Sequence, residues 1–160
     1  MDKGLLIQKI KDGTVIDHIP PGKALFVLKI LGIDENTREI VSFAMNVPSS
    51  KIGIKDIVKV ENRVIGEEEL NKIALIGRDV TINIVQNYDV VKKFKVKLPS
   101  EVIGVVKCPN PSCISNTSEP VSYRFVVVDG RLKCHYCGKI ISKDVEKWIV
   151  KEDVKREKIK

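Results

Sequence analysis

Residues 108–138 read CPNPSCISNTSEPVSYRFVVVDGRLKCHYCG and contain all four cysteines of the chain, Cys108, Cys113, Cys134 and Cys137. Their spacing is C-x4-C-x20-C-x2-C. Between the two close pairs, Val121 to Val128 reads as a strand, Asp129-Gly130 as a turn, and Arg131 to Cys134 as the returning arm of a hairpin. Such a hairpin can bring four sulfurs together as a tetrahedron, which suits zinc. The short ligand loops also turn backbone N–H groups toward the sulfurs and offset thiolate charge. Gly138 permits the tight turn after the last ligand. A redox pair at Cys134 and Cys137 leaves the first pair without a role. Four sulfurs close the coordination sphere, so the expectation is one structural zinc per chain. His135 reads as an exposed loop residue rather than a fifth ligand, and Tyr123 and Trp148 as core candidates.

A metal-binding domain over residues 101–150 has little core of its own, and a bound ion supplies folding free energy that burial cannot. Leu98-Pro99-Ser100 reads as a linker to a first domain over residues 1–97. In that domain Leu5 to Ile10 and Val15 to Ile19 read as strand pieces around the turn-like Asp12-Gly13. Pro20-Pro21-Gly22 then breaks the chain. Ala24, Val27, Leu28 and Leu31 recur at helical spacing, with Gly32 as a C-cap. Glu39 to Met45 reads as a strand, Ser49 to Lys51 as a loop and Asp56 to Val60 as the next strand. Glu67, Glu68 and Glu69 favour a helix start, and Leu70, Ile73 and Ala74 give its buried face. Strands follow over Val80 to Val85 and Val90 to Val96. The order β-α-β-β-α-β with an extra strand is the split βαβ pattern of ferredoxin-like domains. The fold class expected is therefore α+β, a ferredoxin-like N-terminal domain followed by a small antiparallel β zinc-binding domain. Residues 151–160 are almost all charged and read as a solvated tail.

Hydrophobic residues at 43% and charged residues at 31% fit a folded, soluble chain rather than a disordered one. No apolar run approaches the roughly 20 residues that span a bilayer, and no signal peptide opens the sequence. A cytoplasmic protein without a membrane partner is expected, and in that reducing setting cysteines serve as metal ligands sooner than as disulfides. The net charge of +7 favours acidic partners. Its lysines are scattered, so the charge suits a small phosphate-bearing ligand as well as nucleic acid.

Three polar stretches carry that possibility further. GTVIDHIP (13–20) sets an acid beside an imidazole at a strand end, and KDIVKVEN (55–62) and NYDVV (87–91) followed by Lys92-Lys93 put lysines within strands. Lys55 and Lys59, four apart, face one side of a regular strand. Ammonium groups, an acid and an imidazole in one bowl can hold a polyphosphate and a ribose. Taken with CPNPSCIS (108–115), EPVS (119–122) and LKCHYC (132–137), these stretches make the chain resemble the regulatory chain of aspartate carbamoyltransferase from about residue 5 to residue 150.

That resemblance implies a non-catalytic subunit with an allosteric domain for ATP or CTP and a zinc domain that docks on the catalytic chain. By position, it implies that Asp17 and His18 contact the ribose and nearby phosphate, Lys59 the ribose and base, and Lys93 the triphosphate. Ile10, Asn83, Tyr88 and Val90 would line the base pocket. The four cysteines fall on the family's zinc ligands. The implied assembly joins two catalytic trimers through three regulatory homodimers, in pyrimidine biosynthesis. The competing reading is a nucleic-acid-binding zinc ribbon, and a third is an iron-thiolate electron carrier, since four thiolates also suit iron. Few aromatics and no concentrated basic element argue against nucleic acid as partner.

Overall fold

The structure, a computed structural model, describes residues 9–50 and 53–150. Most of the strand piece at Leu5 to Ile10, the end of the loop at Lys51 and the tail 151–160 lie outside the described residues. The chain forms two compact units that divide between Lys97 and Leu98.

The first unit runs β1 (Gly13–Ile19), α1 (Ala24–Ile30), β2 (Val41–Ser49), β3 (Gly53–Glu61), α2 (Glu67–Ala74), β4 (Thr81–Gln86) and β5 (Asp89–Lys95). The strands form one sheet in the order β2-β3-β1-β4-β5, with every neighbouring pair antiparallel. The first four strands are thus the split βαβ arrangement, and β5 extends one edge. Ile16, Val58 and Ile82 lie in one cross-strand row and are each fully buried. Helix α1 contacts β2, β3 and α2. Its Ala24 and Val27, with Ile73 and Ala74 of α2, complete this core.

Strand β2 begins two residues after the expected Glu39 and continues to Ser49, through Pro48. As an edge strand it tolerates the missing N–H of proline. The cap of α1 comes from a distance: the fully buried Asp56 of β3 accepts the Ala24 N–H at 2.9 Å on Oδ2 and the Asn46 N–H at 2.9 Å on Oδ1. One carboxylate therefore fixes both the helix start and an irregularity in β2, where the register shifts between Ala44 and Val47. Gly13 sits at φ +143 against β3, and a Cβ there would collide with the Val60 carbonyl oxygen.

The second unit is a four-stranded antiparallel sheet, β6 (Glu101–Ile103), β7 (Arg124–Val128), β8 (Arg131–Cys134) and β9 (Ile140–Ile141), in sequence order. Asp129 and Gly130, both at positive φ, make the two-residue turn of the β7–β8 hairpin. Phe125, Leu132, Val102, Val106 and Ile141 form its small core, and Tyr123 is buried with them. Trp148 is only half-buried; its carbonyl accepts the Lys107 N–H at 2.7 Å. The α+β class and the antiparallel sheets agree with the sequence reading. No described helix is long and apolar enough to cross a membrane.

Candidate metal centre and ligand-binding face

The four cysteine sulfurs lie within 4.8 Å of one another. Cys108 and Cys137 sulfurs are 3.5 Å apart, and those of Cys113 and Cys134 3.7 Å. Four sulfurs each about 2.3 Å from one central ion stand about 3.8 Å apart in a tetrahedron. The cage thus fits an ion of that size. Cys108, Cys113 and Cys134 are buried and Cys137 is exposed.

Local hydrogen bonds shape both ligand loops. The Gly138 N–H reaches the Cys134 carbonyl at 3.0 Å and the Cys134 N–H reaches the Lys139 carbonyl at 2.8 Å, with Gly138 at φ +81. In the first loop the Cys113 N–H donates to the Asn110 carbonyl, and the Asn116 amide donates to the carbonyls of Cys108 and Asn110 at 2.9 and 2.7 Å. Asn116 Oδ1 is buried and has no hydrogen-bond partner among the described residues. As free thiols the ligands are uneven. Burial pushes Cys108 and Cys134 up. Burial pushes Cys137 the same way, but hydrogen bonds from the Lys139 N–H and the Asn110 side chain, with Cys108 and Cys134, bring it down to about 7. Tyr123 is pushed up by its burial and by the nearby Cys108 and Cys113. His135 is exposed and outside the cluster, its ring edge-on to Tyr136.

In the first unit the register places several of the singled-out residues on one face. Ser42, Lys59, Val15, Asn83 and Lys93 are cross-strand partners in one row over β2, β3, β1, β4 and β5. The next row holds Asp17, Thr81 and Lys95. His18 follows Asp17 at an irregularity in β1, where the register shifts between Ile16 and Ile19, and has φ +57. Its N–H donates to Asp17 Oδ1 at 2.7 Å, and its Nδ1 is 3.2 Å from Thr81 Oγ1. The same hydroxyl donates to the Asp79 carbonyl at 3.1 Å. Lys55 Nζ lies 2.8 Å from Asp17 Oδ1. Lys59 is 8% exposed. Burial lowers its pKa against the pull of Asp17, and Lys9 lowers it further.

The residues expected around a base lie toward the β4–β5 turn. Asn87 and Tyr88, at φ +52 and +69, form it. The Tyr88 N–H donates to the Lys11 carbonyl at 2.9 Å, which ties the turn to the segment of the buried Ile10. Tyr88 and Val90 are exposed. Val90 pairs with Val85 across a register shift in β5, and that shift puts it on the Lys93 side although the two are three residues apart. Sequence reasoning missed Thr81, whose hydroxyl orients the imidazole. A threonine opening a strand carries no motif of its own.

A family model described as aspartate carbamoyltransferase regulatory chain, allosteric domain, matches residues 5–97, and a second, the metal binding domain of that chain, matches residues 100–147. The chain belongs to the aspartate carbamoyltransferase regulatory chain family. Among curated relatives of that name, one from Methanoculleus marisnigri is 52% identical over 92% of this chain and 96% of its own length. One from Archaeoglobus fulgidus is 56% identical over 86% of this chain and 93% of its own, and one from Thermoplasma acidophilum 47% over 91% and 99%. The family is one of regulatory, non-catalytic chains. Its metal binding domain coincides with the cysteine cage, and its allosteric domain with the sheet that carries Asp17, Lys59 and Lys93.

Proposed function

We propose that this regulatory chain binds ATP and CTP on the face of its first sheet and passes their effect to catalytic chains through a domain held by one structural zinc. The observation that carries the reading is the row Lys59, Val15, Asn83 and Lys93, with Asp17 and His18 beside it. Asp17 and His18 for the ribose and nearby phosphate, Lys59 for the ribose and base, and Lys93 for the triphosphate stand on one face of the sheet. The triphosphate and ribose are common to both nucleotides, so Lys93, Asp17 and His18 bind either one. Ile10, Asn83, Tyr88 and Val90 read the base.

The zinc, held by Cys108, Cys113, Cys134 and Cys137, supplies rigidity and no chemistry, because four thiolates leave no position for a substrate. The chain then acts by linkage: a nucleotide that favours one state of the assembly shifts the population, with a coupling of typically 1–3 kcal/mol. The assembly proposed is two catalytic trimers joined by three regulatory homodimers, in the cytoplasm, without nucleic acid or membrane. A nucleic-acid-binding zinc ribbon would leave the match over residues 5–97 without a role. Titration calorimetry with ATP and CTP tests the site. Lys93→Ala should weaken both nucleotides about tenfold, the order expected for one charged hydrogen bond. Isotherms equal to wild type would remove Lys93 from the site.

A further inference from the structure

Hydrogen bonds reach the sulfurs of the cage from backbone and side chains. Backbone N–H groups reach Cys108 from Asn110, Cys134 from Tyr136 and Cys137, and Cys137 from Lys139. At Cys113 a side-chain hydroxyl is in reach: Ser115 Oγ lies 3.1 Å from Cys113 Sγ. Ser115 is 1% exposed and Cys113 2%, so bulk water has no access to replace that contact. A metal-bound sulfur carries no hydrogen, and the hydroxyl is then the donor. The Asn116 amide braces the same loop through the carbonyls of Cys108 and Asn110.

We infer that Ser115 is a positioning residue of the metal centre, whose hydroxyl donates to the Cys113 thiolate and slows departure of the ion. This rests on the zinc reading given above. Four thiolates around a divalent ion leave two excess negative charges, and each donor draws part of that charge off its sulfur. Removing such an outer donor typically costs 10–100-fold in metal affinity. Replacement of Ser115 takes this hydroxyl from Cys113 and leaves the backbone donors of the other sulfurs in place.

The test uses the full chain as wild type, Ser115→Ala and Ser115→Thr. Each is loaded with zinc, and release to excess chromophoric chelator is timed. Each is also loaded with cobalt(II), and the sulfur-to-metal charge-transfer band is recorded. Ser115→Ala should release zinc roughly 10–100-fold faster. Its cobalt band should move to longer wavelength, because a sulfur without its hydrogen bond gives up electron density more readily. Ser115→Thr keeps the hydroxyl and should match wild type in the position of the band. A wild-type release rate in Ser115→Ala overturns the inference. So does faster release with an unmoved band, which makes Ser115 a space-filler, and so does a threonine variant whose band has moved. A wild-type chain that takes up neither ion overturns the zinc reading itself, and the inference with it.

Discussion

Lys59 and Tyr88 are both held in states that an isolated residue avoids. Lys59 is almost wholly buried, and that burial depresses its pKa. Below the depressed value the side chain is cationic and, in the proposed site, attracts an acceptor atom of the ribose or base; above it the attraction is gone. ATP affinity should therefore fall as pH rises through that value, earlier than for an ordinary lysine near 10.4. Calorimetry across alkaline pH checks this, and Lys59→Arg, always charged, should flatten the profile. Tyr88 occupies the left-handed region at the second position of a two-residue turn, where glycine is the usual residue. Tyr88→Gly should raise the stability of the free chain by about 1 kcal/mol and weaken nucleotide binding. A variant that is both less stable and unchanged in affinity would contradict the assignment.

At the scale of elements, Asp56 joins parts that the sequence separates. Its carboxylate serves α1, 32 residues away in sequence, and the irregularity in β2. Asp56→Ala leaves two backbone N–H groups without their acceptor, each costing about 1–3 kcal/mol. Urea denaturation should show a loss of roughly 2–5 kcal/mol, and a loss under 1 would mean that other acceptors take over. This cap was illegible in the sequence, because a capping residue is recognised only when it directly precedes its helix. The cysteine cage was legible, since each pair is local and one hairpin joins them. The helices and most strands were legible from periodicity. The ligand face was only half so. Lys55 and Lys59 share a side by simple alternation, but Asp17 with His18 and Val90 with Lys93 share theirs through shifts in register that no spacing rule announces.

For the whole molecule, the cysteine cage and the proposed nucleotide face stand in separate units of one chain. Chelation should melt the second unit and leave ATP binding intact, as read by circular dichroism and calorimetry on the same sample. Acid should act like a chelator. Free Cys108 and Cys134 thiols, with pKa values raised by burial, hold their protons at neutral pH, and the ion must displace them. Metal affinity therefore falls as pH falls, and titration with a competing chelator at several pH values checks the sign. The central claim is that this chain transmits nucleotide binding to an enzyme. Its most direct test mixes the zinc-loaded chain with the catalytic trimer of aspartate carbamoyltransferase from the same source, and follows particle mass and carbamoyl-transfer rate with and without ATP or CTP. The account predicts a larger assembly whose rate responds to nucleotide, with the response lost in Lys93→Ala although the assembly still forms. A mixture that stays as separate components, or an assembly whose rate ignores both nucleotides, would contradict it.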